Sequence, residues 1–215
     1  VDRTALIRPL SFNEINMTIF GRMAAAILAA GSTAPKNDFN LERLYPYLVP
    51  AGYPTAATDR ELGNGLRVAL VVENSPLTIR NVTDAELKKA GLSPAQAGER
   101  ALTNLEVLMK SGAIQMQVFP SGSPGRSFIL AGGHWAAATA MLLPGLRRLA
   151  AQTLHAEELC ASVPHREALL IFEKGDPAFR KEMRALVRKN ESDGAKPLTF
   201  DLFQLTERGP APLVE

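Results

Sequence analysis

The chain has little of what metal and thiol chemistry needs. It carries one cysteine and three histidines in 215 residues. A single cysteine excludes an internal disulfide and any cysteine-based zinc cluster. Aromatic residues are 6% of the chain, and they include one tryptophan and three tyrosines. No window holds the roughly 20 continuous apolar residues that a membrane-spanning helix requires. Charge of one sign is missing too: 24 basic against 22 acidic side chains leave a formal net charge of +2. A dedicated nucleic-acid binder concentrates Lys and Arg on one face or tail. The densest basic stretch here, Arg180-Lys181-Glu182-Met183-Arg184 continuing to Arg188-Lys189, reads as the solvated face of a helix.

What is present is ordinary for a globular protein. Hydrophobic residues make up 46% of the chain and charged residues 21%. That is apolar enough to build a core and too apolar, with too little net charge, for a disordered chain. The expected architecture is one α+β domain over 1–215, with a mostly antiparallel sheet and helices packed against it. An N-terminal helix is expected at about 11–30, and a loose tail from about 208 to 215. The lone cysteine fits a reducing compartment. No signal peptide is read at the start, so the expected location is cytoplasmic.

Periodicity supplies the element map. Phe12, Ile15, Ile19, Met23 and Ile27 recur at helical spacing, with Ser11 and Glu14 as a capping box and Gly31 as the stop. Tyr45–Pro50 reads as an extended piece that its prolines confine to a sheet edge or to a role outside the ladder. Residues 51–65 look irregular, with room for a small strand. Leu66–Asn74 alternates Leu66, Val68, Leu70 and Val72 against Arg67, Ala69, Val71 and Glu73, the clearest strand in the chain. Leu77–Val82 follows after a short turn and is expected to pair with it antiparallel. Thr83 and Glu86 open one helix, and Ser93-Pro94 opens another that runs to about Lys110. Ala97, Ala101, Leu102, Leu105, Leu108 and Met109 form its apolar stripe. Ile114–Phe119 and Arg126–Ala131 read as a hairpin. Gly132-Gly133 is expected to lead into an apolar helix from His134, broken or restarted at Pro144; the helix after it carries Leu146, Leu149 and Ala150 inward. Ala168–Glu173 and Phe200–Thr206 read as strands, and Asp176-Pro177 opens the last long helix.

The run Thr83-Asp84-Ala85-Glu86-Leu87-Lys88-Lys89-Ala90-Gly91-Leu92-Ser93, followed by Ala101-Leu102-Thr103-Asn104-Leu105, resembles the YtpQ-like family of uncharacterised bacterial proteins. Tyr45–Pro50, the Arg126–Leu130 strand and Pro197-Leu198 fit the same pattern, so the resemblance spans about 40–206. It implies a cytoplasmic bacterial α+β protein. It brings no activity, so no catalytic residue is carried over.

The chemistry-bearing motifs are few. Ser121-Gly122-Ser123-Pro124-Gly125-Arg126-Ser127 invites a phosphate-loop reading, but Pro120 stands where the first glycine belongs, Arg126 replaces the lysine and a strand follows. It reads as a hairpin turn, with Arg126 able to hold an anion. His155 and Glu158 are three apart and could share a helix face, with Glu157 and His165 nearby, but a metal site needs three or more convergent ligands and the stretch reads as a solvated helix end. Cys160 stands between Leu159 and Ala161 and reads as a small core residue, not a nucleophile. Gly132-Gly133-His134-Trp135 is the most unusual feature: two permissive glycines, then a histidine and the sole tryptophan.

No convergent catalytic set emerges, and neither a cofactor nor a metal is expected. The expected function is therefore a non-enzymatic module that binds an unknown protein or a small anionic ligand, with no nucleic acid and no membrane span. Arg126, His134 and Trp135 are the candidate binding residues. The alternative is a small hydrolase or transferase acting on an anionic substrate, which would need Arg126, His134 and a carboxylate around one cleft.

Overall fold

The computed structural model describes residues 39–54, 57–75, 78–194 and 196–214. The chain divides into two units, Val1–Ala34 and Pro35–Glu215, and every described residue belongs to the second. The helix expected over 11–30 lies outside the described residues.

The fold is α+β, with four α-helices and two antiparallel sheets among the described residues. The first sheet is made of β1 (Leu44–Pro50), β2 (Thr58–Gly63), β3 (Leu66–Ser75) and β4 (Thr78–Asn81). β3 is the long central strand. β1 pairs along one side of it, from Leu44 opposite Val72 to Pro50 opposite Leu66. β2 and β4 share the other side end to end, β2 against the first half and β4 against the second. Pro46 is tolerated because β1 is an edge strand. The second sheet runs in the order β10-β9-β7-β8-β6-β5. Its strands are β5 (Gln115–Pro120), β6 (Ser127–Gly132), β7 (Leu159–Ser162), β8 (Leu169–Glu173), β9 (Phe203–Thr206) and β10 (Gly209–Pro212).

The helices are α1 (Asp84–Lys89), α2 (Pro94–Lys110), α3 (Pro144–Leu154) and α4 (Pro177–Glu191). The expected Thr83–Glu86 capping box forms, and the expected cap Ser93 forms a second box with Gln96. Thr83 Oγ1 accepts the Glu86 N–H while Glu86 Oε2 accepts the Thr83 N–H, and Ser93 and Gln96 do the same for α2. No described helix is long and apolar enough to cross a membrane.

One core joins the two sheets. Leu48 of β1 and Leu66 and Val68 of β3 cluster with Ile129, Leu159, Ile171 and Phe203 of the second sheet and with Leu105 of α2. Further along the same face of β3, Leu70 and Val72 pack on Leu87, Ala97 and Ala101 of α1 and α2. The opposite face of β3 carries Arg67, Ala69, Val71 and Glu73, beside Tyr45, Tyr47 and Val49 of β1. This second face builds the site.

Several expectations are corrected. The apolar run after Gly133 does not become an α-helix. Residues 136–143 are buried on every side and hold only a 3-10 turn, Ala138–Leu142. The run threads between other segments, and Ala138 donates its N–H to Arg166 O instead of to its own turn. Leu149 and Val118 are about half exposed, because α3 turns Leu146 and Ala150 inward and β5 is a sheet edge. The segment around Cys160, to which the sequence assigned no element, is the central strand β7; all four of its residues are buried, so no polar alternation marks it. The tail is not loose at 209–212: β10 pairs with β9, its prolines standing on an edge strand. Within the basic stretch Arg180 is buried, with Nη1 donating to Lys174 O and Gly175 O at the end of β8. Asn104 of α2 is buried as well and donates to Leu41 O and Leu44 O, both at 2.8 Å.

Candidate functional site

All three tyrosines and the only tryptophan gather on the second face of the first sheet. The period of two along β1 sends Tyr45 and Tyr47 to that face together. Trp135 meets both edge-on, with ring centroids 5.6 Å from Tyr45 and 5.7 Å from Tyr47. Its indole N–H donates to Glu73 Oε1 at 3.3 Å. The turn that delivers it depends on Gly133, whose φ of 83° is a left-handed conformation that disfavours larger side chains. His134 lies against Trp135 with ring centroids 5.1 Å apart, and its Nδ1 accepts the Ala136 N–H.

Burial holds His134 below its ordinary value of 6.5, against an opposing pull from Glu73. The native state thus binds fewer protons at this residue than the unfolded chain does. The contribution of His134 to stability is complete above 6.5 and declines as pH falls through that value toward the lower native one. His134→Gln should flatten the acid limb of a urea midpoint series taken between about pH 7.5 and 5. An unchanged pH slope in the variant would refute the assignment.

A cleft of about 530 Å³ opens beside Tyr47. Tyr53, Ile79, Asn81, Arg166 and Lys196 line it. Arg80 borders it through its place in β4. The Arg80 side chain belongs to the opposite face, where Val72 is its cross-strand partner and Nη1 pairs with Glu86 Oε1 at 2.7 Å. The rim is tied down by two contacts. Asn81 Nδ2 donates to Pro54 O at 3.2 Å, and Arg67 Nη2 donates to Tyr53 O at 3.3 Å.

Arg166 is the central group. Its Nη1 donates to the Tyr47 hydroxyl. Its guanidinium carbon lies 4.4 Å from the Tyr47 ring centroid and 5.4 Å from that of Tyr53, within cation–π range. No carboxylate among the described residues pairs with it. Its Nε is buried without a partner, as is Arg67 Nε behind Tyr53. Burial pushes the Tyr47 hydroxyl above the ordinary tyrosine value, outweighing the lowering effect of Arg166. Tyr47 therefore keeps its proton, while its oxygen accepts from Arg166. The arrangement is a half-buried cation between two aromatic rings, next to a hydroxyl donor.

A buried pin positions Arg166. His165 Nδ1 accepts the Glu167 N–H, and Nε2 faces Glu191 Oε2 at 2.7 Å. Both side chains are only 6% exposed. His165 also pairs with Pro197 in an isolated antiparallel bridge.

The structure separates the residues expected from the sequence. Arg126 ties the β5–β6 hairpin to α4: Nη2 pairs with Asp176 Oδ2 at 3.3 Å, Nε stands 3.8 Å from Glu173 Oε2, and the guanidinium lies over the Phe179 ring. The Phe179 backbone N–H and Arg126 together hold the Asp176 carboxyl below the ordinary value. β6 runs between Arg126 at one end and the Gly132–Trp135 turn at the other, about 20 Å at some 3.3 Å per residue. Arg126 and His134 therefore do not share a cleft, whereas Trp135 adjoins the Arg166 site through Tyr47. His155 is exposed at the end of α3, far from the pinned His165, and no metal-binding group of His, Cys, Asp and Glu exists among the described residues. Cys160 is 0% exposed. The Ser121–Gly125 segment is a hairpin connection, with Ser123 Oγ bonded to Glu182.

The sequence reading missed Arg166, Lys196, Tyr47 and Tyr53. The one available signal was the placement of all three tyrosines within residues 45–53. No protein-family model, curated protein or solved structure matches this chain.

Proposed function

We propose that this protein is a non-enzymatic binding module that takes a small anionic ligand into the cleft lined by Tyr53, Ile79, Arg166 and Lys196. The observation that carries this reading is Arg166 itself. A half-buried guanidinium without a carboxylate partner is costly to keep, and it is the side chain best suited to grip an oxyanion. Tyr53 supplies a flat wall, Ile79 an apolar contact and Tyr47 a second donor. Glu73 and His134 support the aromatic layer beneath and stand outside the cleft. The resemblance to the YtpQ-like family, a bacterial origin and a cytoplasmic location belong to the same proposal.

Trp135 is the only tryptophan and touches Tyr47, which Arg166 touches in turn. Its fluorescence should therefore report occupancy. Benzoate and phenyl phosphate should change it saturably, and neutral benzamide should not. Arg166→Met should weaken the anions by about 10- to 100-fold, the loss expected for one charge-assisted contact. Equal binding of benzamide, or full affinity in a folded Arg166→Met protein, would overturn the reading.

A further inference from the structure

Lys196 lines the same cleft as Arg166. The Thr199 N–H donates to Val163 O and the Leu198 N–H to Pro164 O, and His165 bridges Pro197. The pairing ends at that bridge, and Lys196 is the adjoining residue. Two like charges on one cleft repel. Neither has a carboxylate partner among the described residues. Lys196 moreover adopts a left-handed backbone, φ 58°, that a lysine seldom takes. The buried His165–Glu191 contact, with Gly194 pressed against the His165 ring, holds the two segments together.

We infer that the ligand is a small phosphate monoester whose dianionic group is held between Arg166 and Lys196 while its organic body lies against Tyr53. This rests on the anion-binding reading above and narrows it. Two uncompensated positive charges match a group that carries about −1.5 to −2 at pH 7, and a singly charged carboxylate would neutralise one of them. The Tyr47 hydroxyl adds a third donor, suited to a tetrahedral group with several acceptor oxygens. A cleft of about 530 Å³ is the size of sites that enclose whole small molecules, far larger than one oxyanion requires. The apolar and aromatic side of the cleft is where the rest of such a molecule would sit.

The test compares phenyl phosphate, phenyl sulfate and inorganic phosphate at pH 7.5, read by Trp135 fluorescence and by calorimetry. Phenyl sulfate has the same shape with a single charge. Phenyl phosphate should bind at least 10-fold more tightly than phenyl sulfate and at least 10-fold more tightly than inorganic phosphate. Lys196→Asn, whose new side chain tolerates the left-handed backbone, should shrink the phosphate-to-sulfate ratio toward one. Equal affinity for the two esters, or an unchanged ratio in Lys196→Asn, would overturn the dianion assignment and leave the anion site standing. Inorganic phosphate binding as tightly as the ester would overturn the organic part. Failure of all three anions to bind, with Arg166→Met indistinguishable from the parent protein, would overturn the anion site itself.

Discussion

His165→Leu is expected to destabilise the protein by about 3–5 kcal/mol. The substitution leaves the Glu191 carboxylate, 6% exposed, without its hydrogen-bond partner. A carboxylate stranded in the interior must lose its hydration or take up a proton, and both are costly. Two further variants separate the pair from simple packing. Glu191→Gln keeps an acceptor for the His165 Nε2–H and should cost far less than His165→Leu. His165→Leu combined with Glu191→Leu removes both polar groups and should recover part of the single-variant loss. The measurement is urea unfolding, with the midpoint and slope read separately. A double variant no more stable than His165→Leu would show that the ring, and not the stranded carboxylate, accounts for the loss.

Leu105→Ala is expected to cost about 2–5 kcal/mol. Leu105 is 0% exposed and sits where α2 meets both sheets, packed in the same cluster as Leu48, Leu66 and Ile129. The surrounding side chains come from three different elements, so they cannot collapse together into the space left behind. The cost therefore includes a cavity as well as lost burial. Leu102, on the same helix, is only partly buried against that cluster. Leu102→Ala should lose clearly less, although the two residues look equivalent in the apolar stripe. Equal losses at both positions would contradict the packing described for α2.

The elements that are legible from sequence are those fixed by neighbours in the chain. Thr83 with Glu86 closes a capping box within four residues, and Ser93 caps the next helix. Alternation in β3 names both of its faces, because the strand pleat is a local property. Pro94, Pro144 and Pro177 all mark helix starts, where a missing N–H costs nothing. The antiparallel character of the sheets followed from the short connections at 75–78 and 120–127.

Tertiary structure decided what depends on distant partners. β7 is a strand because β8 and β9 flank it, and an all-buried strand of four residues carries no alternation to read. Residues 136–143 resemble a helix in composition but take their place from the space between neighbouring segments. β10 exists because β9 offers it a partner. The site belongs to this second kind. Tyr47 and Arg166 meet across 119 positions of sequence, and the sheet face that unites them also gathers Trp135. Arg126 looked like the anion-binding arginine because its loop is rich in glycine and serine. In the fold its charge is met by Asp176 and Glu173, while Arg166, set in an unremarkable stretch of sequence, has no acid partner among the described residues. Whether an arginine is satisfied depends on which carboxylates the chain brings within reach, and distances set by long-range folding do not appear in local pattern.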